Sequence, residues 1–270
     1  MEWVGPTRVQ PGRSWLVPAS TVYRISMVPT IGESQHRQME TDGYTIFEDV
    51  FTAAEMIELD QVLEGFFERH RQELLAEGDQ GISRGDEIVF THDLAEMDER
   101  IRAFVTRDEF VSLSTAFLGP DTDLYWNQTV YKLPEVERLF PWHQDDAYTR
   151  VDPSPYLTLW LAIGDATEEN GCISVMPGSH RRGFVEHRKT PIGLVCHDSD
   201  DPEQGKTVPL KAGSLAAFWS LTMHKSGPNR SKGVRKAYVI QFMPTGMRDL
   251  ESGEAIEGKI PIARTGAAPR

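Results

Sequence analysis

After Pro120 the sequence becomes a series of short runs rich in β-branched and aromatic residues, separated by clusters of Gly, Pro, Asn and Asp. The runs are 123–132, 156–163, 172–176, 192–196, 206–210, 214–219 and 235–243. Many short strands with regular turns are typical of an antiparallel sandwich or barrel and not of a parallel α/β sheet. The pattern therefore predicts a β-rich body for the second half of the chain.

Helical patterns precede these strands. Thr52 and Glu55 have the spacing of a capping box, in which two side chains satisfy free N–H groups at the start of a helix. Apolar residues at helical spacing predict helices over 52–76 and over 97–118, with a loop over 81–93 between them. Helices followed by antiparallel strands indicate an α+β protein, mainly β, with the helices on one face of the sheet.

The composition narrows the possible partners. The 270 residues include 28 Lys and Arg against 41 Asp and Glu, a formal net charge of −13. We expect such a chain to bind neither nucleic acid nor a membrane, since both surfaces require clustered cations. The N-terminal residues lack the continuous apolar stretch of a signal peptide. A cytoplasmic location is therefore predicted, with Cys172 and Cys196 as reduced thiols.

The segment Trp142-His-Gln-Asp145 contains a pattern with possible chemistry. Alternate side chains of a strand share one face, so His143 and Asp145 are expected to point the same way. An imidazole beside a carboxylate supplies two of the three ligands that non-haem iron oxygenases use. By itself the pair is more often a histidine that is hydrogen-bonded to a nearby aspartate at the end of a strand.

A third ligand has to come from a distant strand. His224 stands just before a Gly-Pro turn, and Arg235 follows it eleven residues later. A guanidinium can hold a carboxylate by two parallel hydrogen bonds. Two histidines and one carboxylate leave three positions on iron for a bidentate 2-oxo acid and dioxygen. The combination predicts an Fe(II) site that uses a dicarboxylate co-substrate.

Four segments in this order resemble the phytanoyl-CoA dioxygenase family of Fe(II)/2-oxoglutarate oxygenases. They are Thr41-Asp-Gly-Tyr44, Trp142–Asp145, Glu168–Cys172 with Met176–His180, and His224–Asn229 with Gly233–Ala237. The resemblance runs from about residue 41 to about residue 243 and implies a double-stranded β-helix, or jelly roll, with buttressing helices.

The resemblance also implies a domain organisation. A single domain, 1–270, would comprise an irregular extension over 1–33, a mostly helical region over 41–118 and a jelly-roll core over 121–245.

The resemblance implies a role for each matching residue. His143, Asp145 and His224 would be the iron ligands, and Arg235 with Ser226 would bind the distal carboxylate of 2-oxoglutarate. Halogenating relatives replace the carboxylate ligand by a small residue, so the retained Asp145 argues against halogenation.

Three further residues are candidates for the site. Asn127 would make a polar contact to the co-substrate, and Trp160 would line its pocket. For both, packing or structural hydrogen bonding is the alternative. His92 lies in the segment where relatives build a substrate lid, and a structural role is the alternative for it as well.

The predicted activity is the oxidation, by default the hydroxylation, of a C–H bond of a small molecule, with dioxygen consumed and succinate and carbon dioxide released. A coenzyme A thioester would require clustered cations, whereas Arg84, Arg138 and Arg150 are scattered, so a substrate from specialised metabolism is favoured. Three alternatives stay open. They are an acyl-CoA or carrier-bound acyl hydroxylase, a cupin-like metalloenzyme that does not use 2-oxoglutarate, and a non-catalytic binding module.

Overall fold

The computed structural model describes residues 28–134, 137–196 and 205–266, so most of the extension expected over 1–33 lies outside the described residues. The helices are α1 Glu33–Thr41, α2 Ala53–Glu77, α3 Leu94–Met97, α4 Glu99–Val105 and α5 Asp108–Leu118. Among the described residues, none of these helices combines the length and the apolar character needed to cross a bilayer.

Antiparallel strands make up most of the remaining regular structure. They are β1 Tyr44–Phe47, β2 Ile88–His92, β3 Thr122–Lys132, β4 Phe140–His143, β5 Val151–Asp152, β6 Leu157–Ala162, β7 Ile173–Val175, β8 Arg188–Thr190, β9 Gly193–Val195, β10 Lys206–Val208, β11 Leu215–Trp219, β12 His224–Ser226, β13 Arg235–Pro244, β14 Arg248–Asp249 and β15 Ile260–Ala263.

Two sheets form the body of the protein. The major sheet has the strand order β1-β11-β6-β13-β3-β15, with β2 also paired to β3, and the minor sheet has the order β10-β7-β12-β4. One buried apolar cluster contains side chains from both sheets, among them Val130 and Val239 from the major sheet and Phe140 and Ile173 from the minor sheet. The sheets therefore pack face to face, and the predicted jelly-roll fold, mainly β with added helices, is confirmed.

The helices cover the outer face of the major sheet. Along β13, Tyr238 and Ile240 belong to the apolar cluster that contains Leu63 and Phe67 of α2, whereas Ala237 and Val239 belong to the cluster between the sheets. This alternation follows from the period of two in a strand and places each face of β13 in a different core. Because both faces are buried, the middle of the strand, Ala237–Ile240, consists of apolar and aromatic residues.

Local sequence signals explain where the helices begin. At α2, Thr52 Oγ1 accepts a hydrogen bond from the Glu55 backbone N–H at 3.2 Å, and Glu55 Oε2 accepts one from the Thr52 backbone N–H at 2.7 Å. The capping box predicted from the sequence is therefore present, and it stabilises the helix by about 1 kcal/mol. The single helix expected over 97–118 is wrong, because the extended residue Asp98 caps α4 and a further break precedes α5.

Two other expectations need correction. The segment 81–93 contains a strand, β2, whose Ile88 pairs with Lys132 and whose His92 pairs with Gln128. The jelly-roll core was expected to end at 245, yet β15 adds a strand beyond it, beside the N-terminal end of β3. The region 41–118 accordingly contributes two strands, β1 and β2, as well as helices.

Candidate active site

The two candidate histidines face each other across neighbouring strands of the minor sheet. His143 is the last residue of β4, His224 is the first residue of β12, and the two are register partners. Their ring centroids lie 4.1 Å apart, and both side chains are buried. Antiparallel pairing thus brings together two residues that are far apart in the sequence.

Asp145 reaches the same point by a route that the sequence did not predict. It does not continue the strand but begins a 3₁₀ turn, Asp145–Ala147, so strand alternation is the wrong reason for its position. Its Oδ1 atom nevertheless lies 3.7 Å from His143 Nε2 and 3.5 Å from His224 Nε2. All three ligand atoms lie within 4.8 Å of one another, close enough to share one metal ion.

Neighbouring groups orient both imidazoles. His143 Nδ1 lies 2.9 Å from the Pro141 carbonyl oxygen, and His224 Nδ1 lies 3.0 Å from that of Thr222. A proton on each Nδ1 would donate to these carbonyls, which leaves the Nε2 lone pairs directed at Asp145. Burial, together with the adjacent His224, holds the pKa of His143 well below its usual value, so its ring is neutral and able to bind a metal.

The major sheet supports the carboxylate. Thr158 Oγ1 on β6 donates to Asp145 Oδ2 at 2.7 Å, and Gln241 Nε2 on β13 donates to the same oxygen at 3.0 Å. These bonds leave Oδ1 facing the histidines. Two imidazoles and one fixed carboxylate suit Fe(II) in the facial arrangement of non-haem oxygenases. Sequence reasoning missed Thr158 and Gln241, whose only signal is a polar side chain within an apolar strand.

Arg235 lies at the start of β13 and is only 1% exposed. Its Nη1 donates to the Val130 carbonyl at 3.2 Å, but its Nε and Nη2 atoms are buried and have no hydrogen-bond partner among the described residues. Burial lowers its pKa to about 10. A buried cation with unmet donors is costly unless an anion completes the site. The guanidinium therefore fits a bound carboxylate.

Ser226 and Trp160 lie near this guanidinium. The Arg235 guanidinium carbon is 5.2 Å from the centroid of the Trp160 ring, and both residues line the same cavity as the histidines. Ser226 lies on β12 two residues after His224, so the strand presents both side chains on one face. Ser226 Oγ accepts a hydrogen bond from the buried Lys132 Nζ at 3.2 Å. Its own hydroxyl proton is thus left to donate to another group.

Asn127 does not face this cavity, which corrects the expected contact to the co-substrate. It pairs with Ile240 and points to the helical side of β3, where its Oδ1 accepts from the Ala95 backbone N–H at 2.9 Å and from the Tyr238 hydroxyl at 2.9 Å. Its Nδ2 donates to Glu96 Oε2 at 2.7 Å. The amide therefore links helix α3 to the major sheet. Asn127 thus has a structural hydrogen-bonding role, which was the alternative to a contact with the co-substrate.

One cavity of about 610 Å³ contains these groups. It lies between the two sheets and is lined by the histidines and Asp145, by Arg235 and Trp160, and by many aromatic side chains. His92 also lines the cavity. The volume falls within the range of small-molecule sites, about 300–1,000 Å³.

These features define a double-stranded β-helix protein with a two-histidine, one-carboxylate site beside a buried arginine. Residues 39–237 match the family model of phytanoyl-CoA dioxygenase (PhyH). The chain belongs to this family, and the family resemblance found in the sequence is confirmed.

Individual relatives are similar at moderate identity. The phytanoyl-CoA dioxygenase of Arabidopsis thaliana is 27% identical over 224 residues, which cover 80% of this chain and 74% of that protein. A probable alpha-ketoglutarate-dependent hypophosphite dioxygenase of Stutzerimonas stutzeri is 28% identical over 152 residues, 53% of each chain. The match thus spans about half the length of the bacterial relative.

Solved structures share the fold. The carbocyclase SnoK from nogalamycin biosynthesis superposes with a TM-score of 0.70 at 22% identity, covering 88% of this chain and 99% of that chain. EvdO2 from Micromonospora carbonacea, in complex with 2-oxoglutarate, superposes with a TM-score of 0.65 at 23% identity, covering 85% and 97%. At these identities the likeness establishes the double-stranded β-helix and nothing further about chemistry.

Proposed function

We propose that this protein is an Fe(II)- and 2-oxoglutarate-dependent dioxygenase that oxidises a C–H bond of a small-molecule substrate. The observation that carries the proposal is one shared cavity, in which three metal-ligand side chains lie beside a buried guanidinium with unmet donors. Membership of the phytanoyl-CoA dioxygenase family supports the same activity.

Each residue has a defined task in this proposal. His143, Asp145 and His224 would hold Fe(II), which with 2-oxoglutarate and dioxygen supplies the oxidation of a C–H bond to C–OH as succinate and carbon dioxide leave. Thr158 and Gln241 keep Asp145 Oδ1 directed at the histidines, through their bonds to Oδ2.

Other residues of the cavity would bind the co-substrate. Arg235 would hold the distal carboxylate of 2-oxoglutarate through its Nε and Nη2 donors, and Ser226 would donate its hydroxyl proton to the same group. Trp160 would form the side of this pocket, since its ring packs over the guanidinium. The remaining aromatic lining would keep bulk water away from the reacting C–H bond.

Anaerobic titration of the iron-loaded protein with 2-oxoglutarate tests the proposal. A weak visible charge-transfer band should appear as the chelate forms, and the band should be lost in His143→Ala and Asp145→Ala. An absent band in folded, metal-bound protein would favour a metalloenzyme that does not use 2-oxoglutarate. Failure to bind any metal would favour a binding module.

The substrate belongs to the proposal as well. A small molecule of specialised metabolism is favoured because Arg84, Arg138 and Arg150, the candidates for binding a coenzyme A thioester, do not line the cavity. An acyl-CoA substrate is the second candidate, on the strength of the names of relatives such as the one from Arabidopsis thaliana. The cytoplasmic location stays a prediction from the sequence.

A further inference from the structure

The part of the cavity farther along β3 from Arg235, which we call the outer recess, is built mainly from aromatic rings. Its rings are those of Tyr125, Trp126, Tyr148 and Tyr156. Phe90 and Phe140 line the cavity nearer the co-substrate end, since Phe140 is the register partner of Ser226 and Phe90 that of Val130. Tyr125 and Tyr156 pack edge to face at 5.0 Å. Flat apolar walls of this kind favour a ring-bearing ligand.

Uncharged hydrogen-bonding groups also line the outer recess. Gln128 and Thr149 line it together with the aromatic rings. Gln128 Oε1 accepts a hydrogen bond from Trp126 Nε1 at 3.1 Å, which leaves its amide N–H groups to donate to a ligand carbonyl or hydroxyl. Such groups fix the orientation of a ligand and do not require the ligand to be charged.

The cations nearest the outer recess are already engaged. Lys259 Nζ lies 4.1 Å from the centroid of the Trp126 ring, 3.1 Å from Glu96 Oε1, and within ion-pair distance of Asp93. His92 also stacks on the Trp126 ring, at 5.3 Å between centroids. Lys225 lines the cavity as well, and its Nζ lies 5.0 Å from the Trp142 ring centroid.

The loop arginines considered from the sequence are engaged too. Arg84 Nε lies 3.2 Å from Asp79 Oδ2, and Arg138 Nη1 lies 2.7 Å from Glu87 Oε2. The Arg150 guanidinium carbon packs 3.7 Å from the Phe184 ring centroid. A coenzyme A thioester carries several phosphate charges, and it would have to break these contacts on a protein whose net charge is −13.

From this distribution we infer that the outer recess selects an uncharged, ring-bearing substrate and excludes acyl-coenzyme A thioesters. The inference rests on the proposed function, because it assigns the inner end of the cavity to 2-oxoglutarate. With that end filled, the carboxylate of the co-substrate covers Arg235, and the recess offers mainly aromatic faces and uncharged hydrogen-bonding groups.

A pair of probes that share one ring system tests the inference. Calorimetric titrations of the iron- and 2-oxoglutarate-loaded protein, without oxygen, compare 2-naphthamide with 2-naphthoate. The neutral amide should bind with a Kd at least about tenfold lower, a difference of about 1.4 kcal/mol. Equal or tighter binding of the carboxylate would overturn the inference, and so would a failure of both probes to bind. Hexanoyl-coenzyme A should not displace 2-naphthamide.

A charge placed in the recess sharpens the test. Gln128→Lys should narrow or reverse the preference for the amide, because the new ammonium would lie where an anionic probe binds. Gln61→Lys adds the same charge on the exposed face of α2 and should leave the preference unchanged. If the folded Gln128→Lys variant keeps the same preference for the amide, the recess is not the binding site of the probes. If this variant does not fold, the comparison of the two probes on the wild-type protein remains the test.

The two proposals fail in different ways. Loss of the charge-transfer band would reject the proposed function whatever the probes do. A normal band combined with no preference for the uncharged probe would reject the recess assignment alone.

Discussion

Arg235 and Lys132 are register partners on adjacent strands of the major sheet, and each is only 1% exposed. The Lys132 ammonium is held by the Ser226 carbonyl at 3.2 Å, by Ser226 Oγ, and by the Gly227 carbonyl. Arg235 has no comparable set of acceptors among the described residues. Two buried cations side by side create a positive local potential. An anion bound to the open donors of Arg235 would reduce this potential.

The first prediction concerns that guanidinium. Arg235→Lys keeps the charge but loses the second donor of a two-point contact, so the KM for 2-oxoglutarate should rise about 10- to 100-fold, or about 1.4–2.7 kcal/mol. Metal affinity should not change. Steady-state succinate release measures the effect, with the exposed Arg230→Lys as the matched control. An unchanged KM would remove Arg235 from the co-substrate site.

The second prediction concerns the support of the carboxylate. Thr158→Val deletes the donor to Asp145 Oδ2 at nearly constant volume, so metal affinity should fall about 10- to 100-fold. Thr158→Ser retains the hydroxyl and should recover most of the affinity. Calorimetric titration with Fe(II) or Co(II) in the absence of substrate reads this directly. Equal affinities for the valine and serine variants would show that the hydrogen bond does not position Asp145.

The third prediction uses two glycines that both have positive φ angles. At Gly171, φ is +80° and a Cβ would lie 2.3 Å from the Gly227 carbonyl oxygen, whereas at Gly253, φ is +72° and no atom lies within 4 Å. Gly253→Ala should cost only the backbone strain, about 1–2 kcal/mol of the free energy of unfolding. Gly171→Ala should cost more.

The reason is that the Gly227 carbonyl, an acceptor for Lys132, has to move in Gly171→Ala. Denaturant unfolding measures the stability of both variants, and 2-oxoglutarate titration should show weaker binding for Gly171→Ala only. Similar losses in the two variants would mean that the turn at Gly227 yields without cost.

The fourth prediction concerns the thiols. Burial raises the pKa of both Cys172 and Cys196 to about 11, so neither forms much thiolate at neutral pH. Iodoacetamide at pH 8 should label the native protein slowly and the denatured protein quickly at both positions. Mass spectrometry of the labelled peptides reads the two sites separately. Rapid native labelling of either cysteine would contradict its buried environment.

The sequence was sufficient to select the three candidate metal ligands, and strand pairing brings the two histidines into contact. It was not sufficient for the local structure at Asp145, since the change from strand β4 to a 3₁₀ turn leaves no hydrophobic signature. Strand β2 was missed because its apolar residues are buried on both faces, and the alternation that marks a half-exposed strand is absent.

Asn127 shows a different limit. Its strand, β3, is buried on both sides, so a polar residue there can serve either the helices or the cavity, and the pattern does not say which. A register irregularity opposite Gln241 and Phe242 adds to the difficulty, because Tyr125 and Trp126 are neighbours in sequence and yet both line the cavity. Bulges of this kind change which face a residue occupies without changing composition.

The contact between Lys259 and Trp126 joins a residue outside the family match to a residue inside it. The family match ends at residue 237, so Lys259, which directly precedes β15, lies beyond the part shared with the family, whereas the three candidate ligand side chains lie within it. Changes to the C-terminal segment should therefore alter the packing behind Trp126 and leave the candidate ligands in place. This chain is a natural starting point for exchanging C-terminal segments between family members.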